Sequence, residues 1–351
     1  MTSRISLRPL LRLGLASLVL SACSPGLVTQ GPVQMPVPVP KRPQNTPRPL
    51  PPLDPPPATV PDSPTPKPSG AKTPAARAAS RTSTETGAGS EEAAMALGEP
   101  SLEILNGVLW MQTSVEYRAA TLQAYRMARE RLDDALANPQ WEALAGRTQE
   151  PLPPAVILDV DETVLDNTPF EARLIADGES FSKEKFLQWC REENAAAIAG
   201  ALEFTRYAAA KGVAVFYVTN RDHEVESSTA RNLAKLGFPD VGKEGQDHLM
   251  TRYEKPEWQS DKSSRWHEVA AGHRVLLLVG DDLGDFVGAA RTSREAREQI
   301  LLENAQRWGR QWILLPNPLY GSWERALYFT ADSPTPVEQR DIKIRSLKTQ
   351  R

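Results

Sequence analysis

The chain has 351 residues, a formal net charge of −3 and a pI near 6.0, enough for one large domain or two small ones. This balance gives no global field for a nucleic acid polymer or an anionic membrane surface. Two cysteines exclude a disulfide framework, and four histidines at 223, 248, 267 and 273 lie too far apart for zinc-type spacing.

The N-terminus reads as a targeting segment. Arg4, Arg8 and Arg12 punctuate a basic region, and Leu13 to Leu20 is apolar apart from Ser17, too short to span a bilayer. Leu20-Ser21-Ala22-Cys23 resembles a bacterial lipobox, which implies a signal peptide over 1–22 and acyl chains, palmitate included, on Cys23. Several chains anchor far more firmly than one. Ser24, in place of Asp, resembles the sorting pattern of Gram-negative outer-membrane lipoproteins, so the expected location is the cell envelope, lipid-anchored at the outer membrane. Ordinary secretion with an unpaired cysteine is the alternative. With Cys23 acylated no intrachain bridge is possible, and Cys190 is expected to be a small core hydrophobe.

Residues 24–70 hold 17 of the 31 prolines, and 71–96 are rich in Ala, Ser, Thr and Gly. Neither stretch has apolar periodicity, so 23–100 reads as a disordered linker, stiffened at first by polyproline II. The folded domain is placed at 101–345. Apolar spacing predicts a helix over 103–136, then strands at 155–158, 213–218, 275–279 and 312–315. Helical candidates lie near 183–193, 198–210, 224–236, 263–271 and 291–308. Helices alternating with buried apolar strands indicate an α/β fold with a mainly parallel, Rossmann-type sheet.

What ends each strand carries the chemistry. The first runs into Asp159-Val160-Asp161, the second into Thr219-Asn220-Arg221, and the third into Gly280-Asp281-Asp282-Leu283-Gly284-Asp285. Adjacent parallel strands would gather these ends on one rim, a natural site for Mg²⁺ and a phosphate group. Two carboxylates that close repel unless a cation, a proton or hydrogen bonds separate their states.

Asp-x-Asp-x-Thr, a Thr-Asn strand end, a lysine and Gly-Asp-Asp-x-x-Asp resemble the four motifs of haloacid dehalogenase-type phosphohydrolases. The strings Ile157-Leu-Asp-Val-Asp-Glu-Thr-Val-Leu-Asp-Asn167 and Gly280-Asp-Asp-Leu-Gly-Asp-Phe286 are similar to class C acid phosphatases of the lipoprotein e family, which include 5′-nucleotidases. Trp110-Met-Gln-Thr-Ser-Val-Glu-Tyr-Arg118 and Pro316-Asn-Pro-Leu-Tyr-Gly-Ser-Trp-Glu324 resemble segments of that family too. The likeness covers about residues 101–330. Four motifs in order, each at a strand end, are far more specific than one.

The resemblance implies roles. Asp159 would be the nucleophile, forming an aspartyl-phosphate, and Asp161 the general acid and base. Thr219 and the amide of Asn220 would hold phosphoryl oxygens. Mg²⁺ would lie among Asp159, the carbonyl of Asp161, Asp281 and Asp285. Lys262 is the expected catalytic lysine, with Arg265 a competitor for the place, and Lys255 looks like a loop residue. Tyr320 and Trp189 are candidates to stack a nucleoside base. Asn167, Arg221 and Asp222 read as supports, and Glu162 is expected to face outward. Residues 165–205 are long enough for a small helical cap.

The expected activity is hydrolysis of organophosphate monoesters by an acid phosphatase or 5′-nucleotidase, with phosphotransfer to an alcohol also open. The substrate is a small molecule, and nothing fixes the oligomeric state. The competing class is a non-catalytic surface lipoprotein using the fold for binding or adhesion, whose mark would be loss of the nucleophile or a metal ligand; Asp159, Asp161, Thr219, Asp281 and Asp285 are all present. Cysteine-phosphatase chemistry would need arginine at 196, where Ala196 stands, and no Arg-His-Gly-x-Arg string supports a histidine phosphatase.

Overall fold

Pro154–Leu158 forms β1, and in the computed structural model it is the middle strand of a five-stranded sheet. The structure describes residues 100–144, 151–242, 245 and 247–349, so the signal segment, Cys23 and the linker lie outside the described residues. Four apolar side chains in a row, Ala155 to Leu158, are buried because β1 is covered on both faces. Burying each large one contributes about 1.5–3 kcal/mol.

The sheet runs β5-β4-β1-β6-β7, with β4 at Ala214–Asp222, β5 at Leu249–Arg252, β6 at Arg274–Gly280 and β7 at Trp312–Leu314. All pairings are parallel. Leu158 stands in register with Tyr217 on one side and Val279 on the other. The chain passes from β1 to β4 on one side and later returns to β6 on the other, so the switch point lies at the carboxyl end of β1. Open α/β sheets bind ligands at such crevices.

Alternate residues of β1 serve opposite layers. Val156 and Leu158 join Tyr125, Leu132, Phe204 and Leu233. Ala155 and Ile157 face Trp258, Trp266, Phe286 and Trp312. A fold with helices on both faces of a parallel sheet follows.

The expected helix over 103–136 is two helices, α1 (Leu105–Thr113) and α2 (Val115–Ala137). Ser114 is extended, and its Oγ accepts from the Tyr117 amide at 3.0 Å, capping a new helix start. A hydroxyl that competes for backbone bonds lets the apolar stripe continue while the backbone breaks.

The cap is built from Leu165–Asp166 (β2) paired antiparallel with Ala196–Ala197 (β3). Between them lie α3 (Thr168–Ala176) and α4 (Lys183–Glu192). Phe170 contacts Phe181, Phe186 and Trp189, an aromatic cluster that joins the two helices. Strand β5 has no counterpart among the expected strands: Leu-Met-Thr-Arg is short and half polar, and its place at the sheet edge comes from pairing with β4.

Candidate active site

Asp159 continues β1 by one residue, its N–H donating to the Val279 carbonyl at 2.9 Å. The chain then turns tightly: the amides of Val164 and Leu165 both donate to the Val160 carbonyl. Glu162 takes a left-handed φ of 52° in this turn. That conformation costs a side-chain-bearing residue on the order of 1–2 kcal/mol. It also folds Glu162 inward, contrary to the outward position expected from the sequence. Glu162 is fully buried and accepts from the Asn167 amide at 2.9 Å. Burial, with Asp161 and Asp281 nearby, pushes its carboxyl well up.

Asp161 sits in a cradle of donors. Arg221 Nε donates to its Oδ1 at 2.9 Å, Asn167 Nδ2 to the same oxygen at 2.8 Å, and the Thr219 hydroxyl to Oδ2 at 3.3 Å. Arg221 is buried and is itself tied to Asn167 Oδ1 at 3.1 Å and Thr229 at 3.2 Å. Trp189 is buried behind this group; its indole N–H donates to Asn167 Oδ1 at 2.8 Å, and it does not line the cleft above. Tyr320 does line that cleft, as does Asn220, whose amide nitrogen donates to the Ser260 carbonyl at 3.0 Å.

Lys262, at the start of α5 (Ser263–Gly272), places its buried ammonium between Asp159 and Asp285, 2.7 Å from the latter. Arg265 turns the other way, donating to the Thr219 carbonyl, to Asn220 Oδ1 and to the Gln259 carbonyl. Lys255 pairs outside the site with Glu268 at 2.7 Å. Asp222 holds Arg252 and Lys183, each at 2.5 Å.

At the end of β6, Asp281 accepts from Thr163 at 2.9 Å and from Asn317 at 2.8 Å. Asp282 instead closes the following turn, accepting from Gly284 and Ser322. Gly280 is required by close approach: a Cβ there would stand 2.3 Å from Asp285 Cβ. Sequence reasoning assigns no role to Thr163 or Asn317, although Thr163 is the threonine of Asp-x-Asp-x-Thr and Asn317 lies between two prolines.

Asp159, Asp281 and Asp285 each have a carboxylate oxygen within 4.8 Å of the others. Burial, and the neighbouring Asp285 and Asp161 against the opposing pull of Lys262, pushes the Asp159 carboxyl up to about 7. Burial and neighbouring acids raise Asp281 well above the usual carboxylate range, and burial raises Asp285. One ammonium cannot balance three carboxylates, one buried and two half-buried, so the cluster could hold a further cation. An all-oxygen donor set suits a hard divalent ion such as Mg²⁺. The cleft over these groups measures about 830 Å³ and is also lined by Glu171, Phe181, Phe186 and Arg252.

The family model for the HAD superfamily, subfamily IIIB (Acid phosphatase), matches residues 80–323, more than half of the chain. The chain belongs to this acid phosphatase family. It is similar to the class C acid phosphatase of Bacillus anthracis, with 32% identity and a TM-score of 0.64, over 72% of this chain and all of that one. The tungstate-bound form of that enzyme is similar at 31% identity and a TM-score of 0.63, covering 72% of this chain and 99% of the other. Acid phosphatase 1 of Solanum lycopersicum is 27% identical over 168 residues, 47% of this chain and 57% of the relative, so the match spans little more than half of that protein. Acid phosphatases are phosphoric monoester hydrolases.

Proposed function

We propose that this acid phosphatase family member is a lipid-anchored, Mg²⁺-dependent phosphomonoesterase that works through an aspartyl-phosphate on Asp159 and accepts 5′-nucleotides among its substrates. The observation that carries the reading is the juxtaposition at the end of β1. Asp159 is held against Lys262, while Asp161, two residues on, is fixed by Arg221, Asn167 and Thr219.

In this reading Asp159 attacks phosphorus, and the bond to the leaving oxygen breaks as Asp161 delivers a proton to that oxygen. Water then attacks the acyl-phosphate, Asp161 takes its proton, and phosphate leaves with Asp159 restored. Lys262 and the Thr219 hydroxyl offer positive charge and a donor to the phosphoryl oxygens. Asp159, Asp281, Asp285 and the Asp161 carbonyl would hold Mg²⁺, which when bound offsets the repulsion between an anionic nucleophile and an anionic ester. Tungstate, the tetrahedral oxyanion bound by the related Bacillus anthracis enzyme, is consistent with an oxyanion place of this kind.

Two further parts of the reading have separate support. Cys23 in its lipobox context supports anchoring at the outer membrane. The breadth of the cleft and Tyr320 on its wall support nucleotides, since an aromatic face stacks on a base.

Acid-quenching the full chain during turnover of p-nitrophenyl phosphate and 5′-AMP, followed by peptide mass analysis, tests the intermediate. The peptide containing Asp159 should gain one phosphoryl group, and Asp159→Asn should abolish the gain. Turnover with phosphate on another residue would contradict the reading.

A further inference from the structure

The cap helix α3 carries a carboxyl whose place the mechanism does not explain. Glu171 is only 7% exposed, and it lines the same cleft as Asp159 and Asp161. Among the described residues its carboxyl has no hydrogen-bond or ion-pair partner, and no basic side chain acts on it. The other charged group of the helix, Arg173, points away and is spent in a two-bond pair with Glu192 at 2.6 and 2.8 Å. A buried polar group without a partner costs free energy, so sites that keep one commonly face a ligand.

Glu171 stands on the wall opposite the strand ends. The nucleophile and Lys262 belong to the sheet, whereas Glu171, Leu174, Phe181 and Phe186 line the cleft from the cap. A phosphomonoester whose phosphorus lies at Asp159 must therefore lay its alcohol part along the cap. Around Glu171 that wall carries the apolar Leu174, Phe181 and Phe186; its other polar residues are Glu179, paired with Lys185, and Ser180. Burial pushes its carboxyl up to about 7, so through the acid range it is both donor and acceptor, as a hydroxyl is.

We propose that Glu171 is a specificity-determining residue: its carboxyl hydrogen-bonds a hydroxyl on the alcohol part of the substrate and so selects polyol and sugar phosphates, nucleotide riboses included, over apolar aryl phosphates. This rests on the phosphomonoesterase reading of the cleft. Residues that bind only the leaving group act on the ratio between substrates, not on the chemistry they share.

The test compares the full chain with Glu171→Gln and Glu171→Leu, with Mg²⁺, on ribose 5-phosphate and on phenyl phosphate, which has no hydroxyl. Glu171→Leu should lose about 10- to 100-fold in kcat/KM on ribose 5-phosphate, mostly through KM, and stay within about twofold on phenyl phosphate. Glu171→Gln, which keeps a donor and an acceptor, should retain most of the sugar-phosphate activity. Thermal unfolding of Glu171→Leu should not fall, because an apolar side chain replaces a buried unpaired carboxyl. Equal losses on both substrates, or no loss on either, would overturn the assignment. Should the leucine variant not fold, Glu171→Met gives the same ratio. Failure of the underlying reading looks different: the unaltered chain would then release no phosphate from phenyl phosphate.

Discussion

Lys262 holds Asp159 and Asp285 on one ammonium, joining the end of β1 to the loop after β6 through a residue that is itself 4% exposed. Removing that charge leaves the carboxylates of Asp159, Asp281 and Asp285 crowded together without it. Lys262→Met should lower phosphate release by about 10²- to 10³-fold. It should also destabilise the metal-free protein by about 3–5 kcal/mol, the cost of breaking a buried pair. Unfolding scans in EDTA and in excess Mg²⁺ check this: the deficit should shrink with the ion present.

Arg221 fixes the orientation of Asp161 through its Nε at 2.9 Å. Arg221→Gln should leave Asp161 free to turn toward other donors and reduce kcat about 10- to 100-fold with little change in KM. Steady-state kinetics on p-nitrophenyl phosphate separates the two constants. A rise in KM alone would show that Arg221 acts on substrate binding instead.

Glu171 gives a stability signature independent of catalysis. Burial raises its carboxyl from 4.5 to about 7 in the folded protein. The folded state therefore holds this proton more tightly than the unfolded chain, and stability is lost as pH rises from about 4.5 through about 7. The loss from this group is on the order of 3 kcal/mol. Denaturant titrations at pH 5 and pH 8 should show a smaller drop for Glu171→Gln than for the unaltered chain.

Cys23→Ser should move the protein from the membrane to the soluble fraction, because the side chain proposed to carry acyl chains is gone. Fractionation of cells expressing each form checks it. Continued membrane attachment would remove Cys23 from that role.

Much of this geometry is legible in the sequence, because parallel strands buried on both faces appear as unbroken apolar runs. Those at 155–158 and 213–218 stop at a polar residue and that at 275–279 at Gly280 before Asp281, which locates the rim carrying Asp159, Thr219 and Asp281. Legibility fails where tertiary pairing decides the outcome. Strand β5 is recognisable only beside β4, and the break at Ser114 is hidden by an apolar stripe that runs through it. Glu162 points inward because one left-handed residue reverses the turn, and nothing in Asp-Glu-Thr announces that φ. Lys262 and Arg265 lie three residues apart, on adjacent turns, and only their partners separate them: two carboxylates for the lysine, carbonyl and amide oxygens for the arginine. The bare carboxyl of Glu171 could not be seen at all, since an unpartnered group is defined by what the rest of the fold fails to bring near it.

The most direct measurement is phosphate release from p-nitrophenyl phosphate by the full chain and by Asp159→Asn, each with Mg²⁺ and with EDTA. Release should need the metal and fall at least about 10³-fold in the variant, whose unfolding remains that of a folded protein. Turnover by Asp159→Asn at a rate near that of the unaltered chain would contradict this, because among the described residues no other carboxylate at the end of β1 contacts Lys262.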